Sequence, residues 1–157
     1  MRMQFSPDLG ETLSRQVLPR GVLVGFDLVQ VSGITQSVDT FGPAFTERFF
    51  TAGEIAHAAR GSVRDERLAA RFAAKEAAIK ALRMSETGLD WRDIEVVQLA
   101  GGGCELVLHG KARQCAEAAG VTSLALSLSH DGDYAGAVVT ALTANINREI
   151  GSDLTSD

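Results

Sequence analysis

Several features that would settle the class of this chain outright are missing. Only two cysteines, Cys104 and Cys115, occur in 157 residues. That is too few for a disulfide framework, and their spacing matches no common zinc motif. Both read as small hydrophobes in a reducing compartment. No apolar run reaches the ~18 residues of a membrane span, and the opening MRMQFSPDLGETLSRQ lacks the apolar stretch of a secretory signal. A cytoplasmic location, away from the membrane, is therefore expected. Positive charge is also short: 15 Lys and Arg stand against 20 Asp and Glu, a net charge of −5. Unselective nucleic-acid binding calls for a basic domain, so no nucleic-acid partner is expected. Any anionic ligand must rest on a local basic patch. The glycine run at 101–103 has neither the Walker pattern nor the GxGxxG spacing and reads as a hairpin loop.

What is present suits one domain. Hydrophobic residues make up 45 % of the chain, enough for a core. Residues 1–20 are mixed and polar and read as an extension. GVLVGFDLV (21–29) is β-rich and apolar on both faces, as in a buried strand. Residues 32–43 look turn-rich. Thr51 and Glu54 have the spacing of a capping box that opens a helix. VRDERLAARFAAKEAAIKALR (63–83) contains no Gly or Pro and much Ala, which predicts a long helix. WRDIEVVQLA and CELVLHG read as strands, and KARQCAEAAG as a short helix closed by Gly120. SLALSLSH and YAGAVVTAL form a hairpin around HDGD, and the residues from 143 on form a polar tail. The order predicts an α+β fold: an antiparallel sheet packed against one long and several short helices, over residues 21–142.

Two places carry unusual chemistry. On the long helix, Leu68, Phe72, Ile79 and Leu82 define an apolar stripe, and Lys75 projects near its middle. Glu76 falls at the edge, with Lys80 one turn on. Arg67, Arg71 and Lys75 form a like-charge ladder at i, i+4, i+8. A cation on a core-facing stripe must either snorkel to solvent or meet an anion, and Glu76 either pairs with Lys80 or serves a site. Asp27, between Phe26 and Leu28, is either an exposed strand-end residue or a buried carboxylate needing a partner, a proton or a metal. Asp27 and Glu76 together would suit Mg²⁺, which often takes one or two carboxylates plus water and phosphate oxygens. His130 precedes the hairpin turn; His57 and His109 carry no pattern and read as structural.

At these residues the sequence resembles the holo-acyl-carrier-protein synthases, the small bacterial class of 4′-phosphopantetheinyl transferases. GVLVGFDLVQV is similar to the family's opening strand, RFFTAGE to its R-hydrophobic-F/L-T-x-x-E block, RFAAKEAAIKAL to its A-x-K-E-A-x-x-K-A helix, and SLSHDGDYAGAVV to its S-x-S-H-x-x-x-Y-A hairpin. The resemblance implies transfer of phosphopantetheine from coenzyme A to a serine of an acidic acyl carrier protein, of fatty-acid or polyketide synthesis. The serine hydroxyl attacks the β-phosphorus and adenosine 3′,5′-bisphosphate leaves. It further implies Asp27 and Glu76 as Mg²⁺ ligands, both acting in catalysis with Lys80. Arg48, Arg71, Lys75, Lys80 and His130 fall on the coenzyme side. The implied proton acceptor is Glu76, Asp27 or a metal-bound water, and the implied assembly is a homotrimer with sites at subunit interfaces. Gln30 stands where many relatives carry an acid, the stretch soon after it lacks the arginine they carry, and the loops at MSETG and GGGCE differ. These departures keep open a non-catalytic module that binds coenzyme A or the carrier. An acidic carrier would need a basic docking patch, for which Arg60, Arg64 and Arg67 are the candidates.

Overall fold

The computed structural model describes residues 21–144. The expectations for residues 1–20 and for the tail beyond Ala144 lie outside the described residues. Strand β1 (Val22–Gln30) is followed by helices α1 (Val31–Phe41), α2 (Pro43–Phe49), α3 (Ala52–Ala58) and α4 (Arg64–Leu82). A 3-10 turn at Trp91–Asp93 leads into β2 (Ile94–Gln98) and β3 (Cys104–Leu108), then α5 (Gly110–Ala118), β4 (Val121–Asp131) and β5 (Tyr134–Thr143). The main sheet has three antiparallel strands in the order β1-β5-β4, and β2-β3 is a separate antiparallel hairpin. The expected α+β architecture, with the glycine run as the β2-β3 loop, is what the chain forms.

Helix α4 lies across the main sheet. It ends at Arg83, which takes the left-handed cap conformation (φ 54°) usually left to glycine. Its sheet-side residues are small: Ala73, Ala77 and Ala81 are buried, and Ala137, Val139 and Ala141 of β5 face them within one core. Small residues on both surfaces bring the helix unusually close. At Gly25 an added Cβ would lie 1.9 Å from the Ala77 carbonyl oxygen and 2.7 Å from the Ala81 nitrogen. The glycine is thus required by approach rather than by backbone conformation. A second apolar cluster, around Ile34, Phe50, Leu68 and Ala135, joins α1 and the N-terminal half of α4.

Two expectations need correction. Residues 32–43 are mostly helix. Gly33, Ser32, Thr35 and Ser37 have poor helix propensity, which hid the i, i+3, i+4 spacing of Val31, Ile34, Thr35 and Val38. Packing of Ile34 into the second cluster outweighs the weak propensity. Strand β1, in turn, is buried on one face only. Leu23, Gly25, Asp27 and Val29 face α4, whereas Val24, Phe26 and Leu28 are 56–61 % exposed on the other face. Smaller shifts are that residues 91–93 form the 3-10 turn ahead of β2, and that β5 runs through Thr143, one residue into the expected tail.

Candidate active site

Pleating sets the first element of the site. Asp27 is two residues beyond Gly25 on the inward face of β1 and opposite Ala137, so its carboxylate points towards the last turns of α4. There Lys80 Nζ donates to Asp27 Oδ1 at 2.7 Å and to the Phe26 carbonyl at 3.3 Å. Glu76, one helical turn before Lys80, completes the group. Partial burial raises the Glu76 carboxyl above its ordinary value, and the nearby Asp27 charge adds to the effect, with Lys80 offsetting some of it. Two carboxylates beside a single half-exposed lysine that pairs with Asp27 leave excess negative charge that a divalent cation would neutralise. Among the described residues no group of three or more His, Cys, Asp or Glu could hold a metal. Two carboxylates are a donor set that fits an ion completing its shell with water and phosphate, as Mg²⁺ does.

The structure does not bring Lys75 to this group. Its ammonium is fully buried and donates to Glu54 Oε2 at 2.8 Å, to the Ile94 carbonyl at 2.5 Å and to the Trp91 carbonyl at 3.1 Å. Its three hydrogens thus have three internal acceptors, leaving none for a phosphate. Of the alternatives framed from the sequence, Lys75 takes the second, since it meets an anion rather than snorkelling, and Glu76 makes no ion pair with Lys80. The anion that Lys75 meets is an internal glutamate, and burial still draws its ammonium below the usual lysine value.

The remaining candidates fall into two places. Arg48, at the end of α2, stands over the Phe49 ring at 5.6 Å. A cavity of about 330 Å³ walled by Glu76, Ile79, Met84, Leu89 and Trp91 shares Gly88, Leu89 and Trp91 with one of about 630 Å³ that Arg48 and Ala44 line. Glu76 and Arg48 thus lie along one groove. Arg71 is five residues before Glu76, about 140° round the helix. It is buried, with Nη2 donating to His57 Nδ1 at 2.8 Å and Nη1 to the Arg67 carbonyl at 3.1 Å; among the described residues its Nε has no partner. Partial burial, with Arg71, Arg60 and Arg67 nearby, lowers the His57 value. A cavity of about 470 Å³ opens beside His57 and Arg60. His130 is exposed near the end of β4, 4.0 Å from Glu66. Arg64 pairs with Asp65, and Arg67 donates to the Arg60 carbonyl.

Sequence reasoning missed Glu54 as more than a cap. The capping box with Thr51 is present, but the carboxylate also accepts from Val96 N at 2.9 Å and from Lys75. Its signal was Lys75 itself, a cation that needed a buried anion.

Comparison with known proteins assigns the family. A family model described as the 4′-phosphopantetheinyl transferase superfamily matches residues 23–139. The holo-[acyl-carrier-protein] synthase of Solibacter usitatus is 45 % identical over 107 residues, covering 68 % of this chain and 86 % of that protein. That of Koribacter versatilis is 44 % identical over 116 residues, covering 73 % and 93 %. A Chronobacterium ammoniagenes ACPS–CoA complex superposes with a TM-score of 0.69 at 37 % identity, covering 77 % of this chain and 96 % of the other. The Helicobacter pylori holo-[acyl-carrier-protein] synthase in complex with coenzyme A gives 0.68 at 29 %, covering 76 % and 99 %. With the model spanning most of the chain and such relatives matched over nearly their full length, this chain belongs to the 4′-phosphopantetheinyl transferase superfamily.

Proposed function

We propose that the protein is a holo-acyl-carrier-protein synthase, moving 4′-phosphopantetheine from coenzyme A to a serine of an apo-acyl carrier protein in an Mg²⁺-dependent reaction. The observation that carries this reading is the meeting of Asp27, Glu76 and Lys80 where β1 crosses α4. Asp27 and Glu76 would hold the Mg²⁺, which would supply positive charge where the leaving side of the pyrophosphate gains negative charge as the bond breaks. Lys80, about half exposed, keeps Asp27 oriented and has one hydrogen left to bind a phosphate oxygen. A bond forms between the serine oxygen and the β-phosphorus. The bond from that phosphorus to the bridging oxygen breaks, and adenosine 3′,5′-bisphosphate leaves. The hydroxyl proton passes to a base at the site.

Arg48 lies on the groove that leads away from Glu76, which supports its place on the coenzyme side. That Arg71 Nε has no partner among the described residues supports that residue as an anion contact, and the exposure of His130, beside Glu66, supports a contact with a phosphate. Lys75 has no part in binding. The outward face of β1, with Val24, Phe26 and Leu28 exposed, supports association of copies through the sheet, read here as a homotrimer. No helix among the described residues is long and apolar enough to cross a membrane, and the reading places the enzyme in the cytoplasm. The test is incubation with coenzyme A and an apo-carrier protein, with and without EDTA, followed by intact mass spectrometry. A mass gain of one phosphopantetheine that EDTA abolishes supports the reading. No gain under either condition refutes the transferase, and an EDTA-resistant gain refutes the metal.

A further inference from the structure

We propose that the buried Glu54–Lys75 pair is a positioning device that sets the roll of α4, so that the Glu76 carboxylate faces Asp27. The inference rests on the reading of Asp27 and Glu76 as the divalent-cation pair.

The geometry is a clamp from two sides. Lys75 and Ala77 are two residues apart and point about 200° away from each other, with Glu76 between them at about 100° from each. On one side the Ala77 backbone is pressed on Gly25 of β1. On the other, Lys75 is tied by Glu54, the Trp91 carbonyl and the Ile94 carbonyl. The Gly25 contact fixes how close the helix comes to the sheet, but a smooth alanine surface opposes rotation only weakly. Lys75 supplies the directional restraint, since an ammonium with three fixed acceptors tolerates little displacement. Its anchor is rigid in turn. Both side chains are fully buried. Glu54 Oε2 accepts from Thr51 N at 2.9 Å and Oε1 from Val96 N at 2.9 Å, which ties the start of α3 to β2.

A roll of about 20° about the α4 axis would move a side-chain tip at the helix surface by about 2 Å. Misplacement by about 1 Å can cost a reaction on the order of 100-fold. Lys75 thus acts on the chemistry through its sequence neighbour and touches no substrate.

The test uses the full chain with Glu54→Gln/Lys75→Met, which removes both buried charges together, and with Glu54→Gln alone, which decides the matter should the double variant not fold. Folding is checked by circular dichroism. Mn²⁺ binding is measured by electron paramagnetic resonance, independently of activity, alongside kcat and the KM for coenzyme A. The expected result is a folded variant whose Mn²⁺ affinity falls at least about tenfold and whose kcat falls on the order of 100-fold, with the KM for coenzyme A changed less than about twofold. A folded variant with wild-type Mn²⁺ affinity and kcat would make the pair purely structural. A raised KM for coenzyme A with unchanged Mn²⁺ binding would return Lys75 to the phosphates. Either overturns the inference. Should the wild type bind Mn²⁺ but fail to modify a carrier, the transferase reading falls, while the loss of Mn²⁺ affinity in the variants still decides this one. A wild type that binds no Mn²⁺ overturns both.

Discussion

Lys80 donates to Asp27 at 2.7 Å across a separation of 53 residues, and the hydrogen bond raises the lysine value above its usual one. That bond and the Gly25 contact hold β1 close against α4 where Glu76 stands beside the pair. The stability of this corner should therefore report on what occupies it.

With no divalent cation present, Glu76 is a partly buried carboxylate beside another carboxylate. Glu76→Gln should raise the Tm of the metal-free protein. Mg²⁺ should raise the Tm of the wild type, by the mass-action gain of a ligand that binds only the folded state, and leave the variant almost unmoved. Scanning calorimetry over an Mg²⁺ series checks both. An equal rise in the two proteins would place the cation elsewhere.

The apolar outer face of β1 should hold copies together. Phe26 is 56 % exposed and sits opposite Val138, itself on the exposed face of β5. Phe26→Asp should shift the protein to monomers in light scattering at assay concentration, with folded-state circular dichroism retained. Activity should fall with it, since the site is read as lying at the subunit interface. An active monomeric variant would separate assembly from function.

His57 supplies a pH dependence. Partial burial and three arginines lower its value below the ordinary 6.5. The folded state thus favours the neutral ring, which accepts from Arg71. This contribution to stability is present above the unfolded value of about 6.5 and is lost as pH falls towards the lower folded value. His57→Gln should flatten the stability profile over that window, measured by urea unfolding. An unchanged slope would show that His57 titrates alike in both states.

Much of this was legible in the chain. Helix α4, the β2-β3 and β4-β5 hairpins and the Thr51–Glu54 cap all follow from local pattern, and α4 ends within one residue of where the sequence suggests. Asp27, Glu76 and Lys80 were legible as an unusual set, though their meeting was not, since 49 residues separate the strand aspartate from the helix glutamate. Helix α1 was hidden because packing of Ile34, not propensity, makes it a helix. Lys75 was misplaced for a related reason. Its position on the apolar stripe showed that it needed an anion, but the one it meets, Glu54, lies 21 residues away and already had a sufficient local role as a cap. The alternation of Gly25 and Asp27 with Val24 and Phe26 marks two unlike faces of β1 but points the wrong way, because the apolar face is the exposed one.

Gly25→Ala tests the close approach directly. The new Cβ would stand 1.9 Å from a backbone oxygen that no rotamer change can move, so α4 must shift outward. Overpacking of this kind costs about 1–3 kcal/mol and occasionally more, and Gly25 should lie at the upper end. Denaturant unfolding should show that loss, and Mn²⁺ binding should weaken with it as Glu76 moves away from Asp27. A variant of wild-type stability would mean that the helix can back away freely.

The most direct measurement is intact-mass analysis of an apo-carrier protein after incubation with coenzyme A, Mg²⁺ and either the wild type or Asp27→Asn, a change that keeps the shape of the side chain but removes its charge. The expected result is a complete gain of one phosphopantetheine with the wild type, one adenosine 3′,5′-bisphosphate released per carrier, and a rate lowered at least about 100-fold in the folded variant. Failure of the wild type on a carrier that another transferase modifies, or full modification by Asp27→Asn at the wild-type rate, would contradict the assignment of function to Asp27 and Glu76.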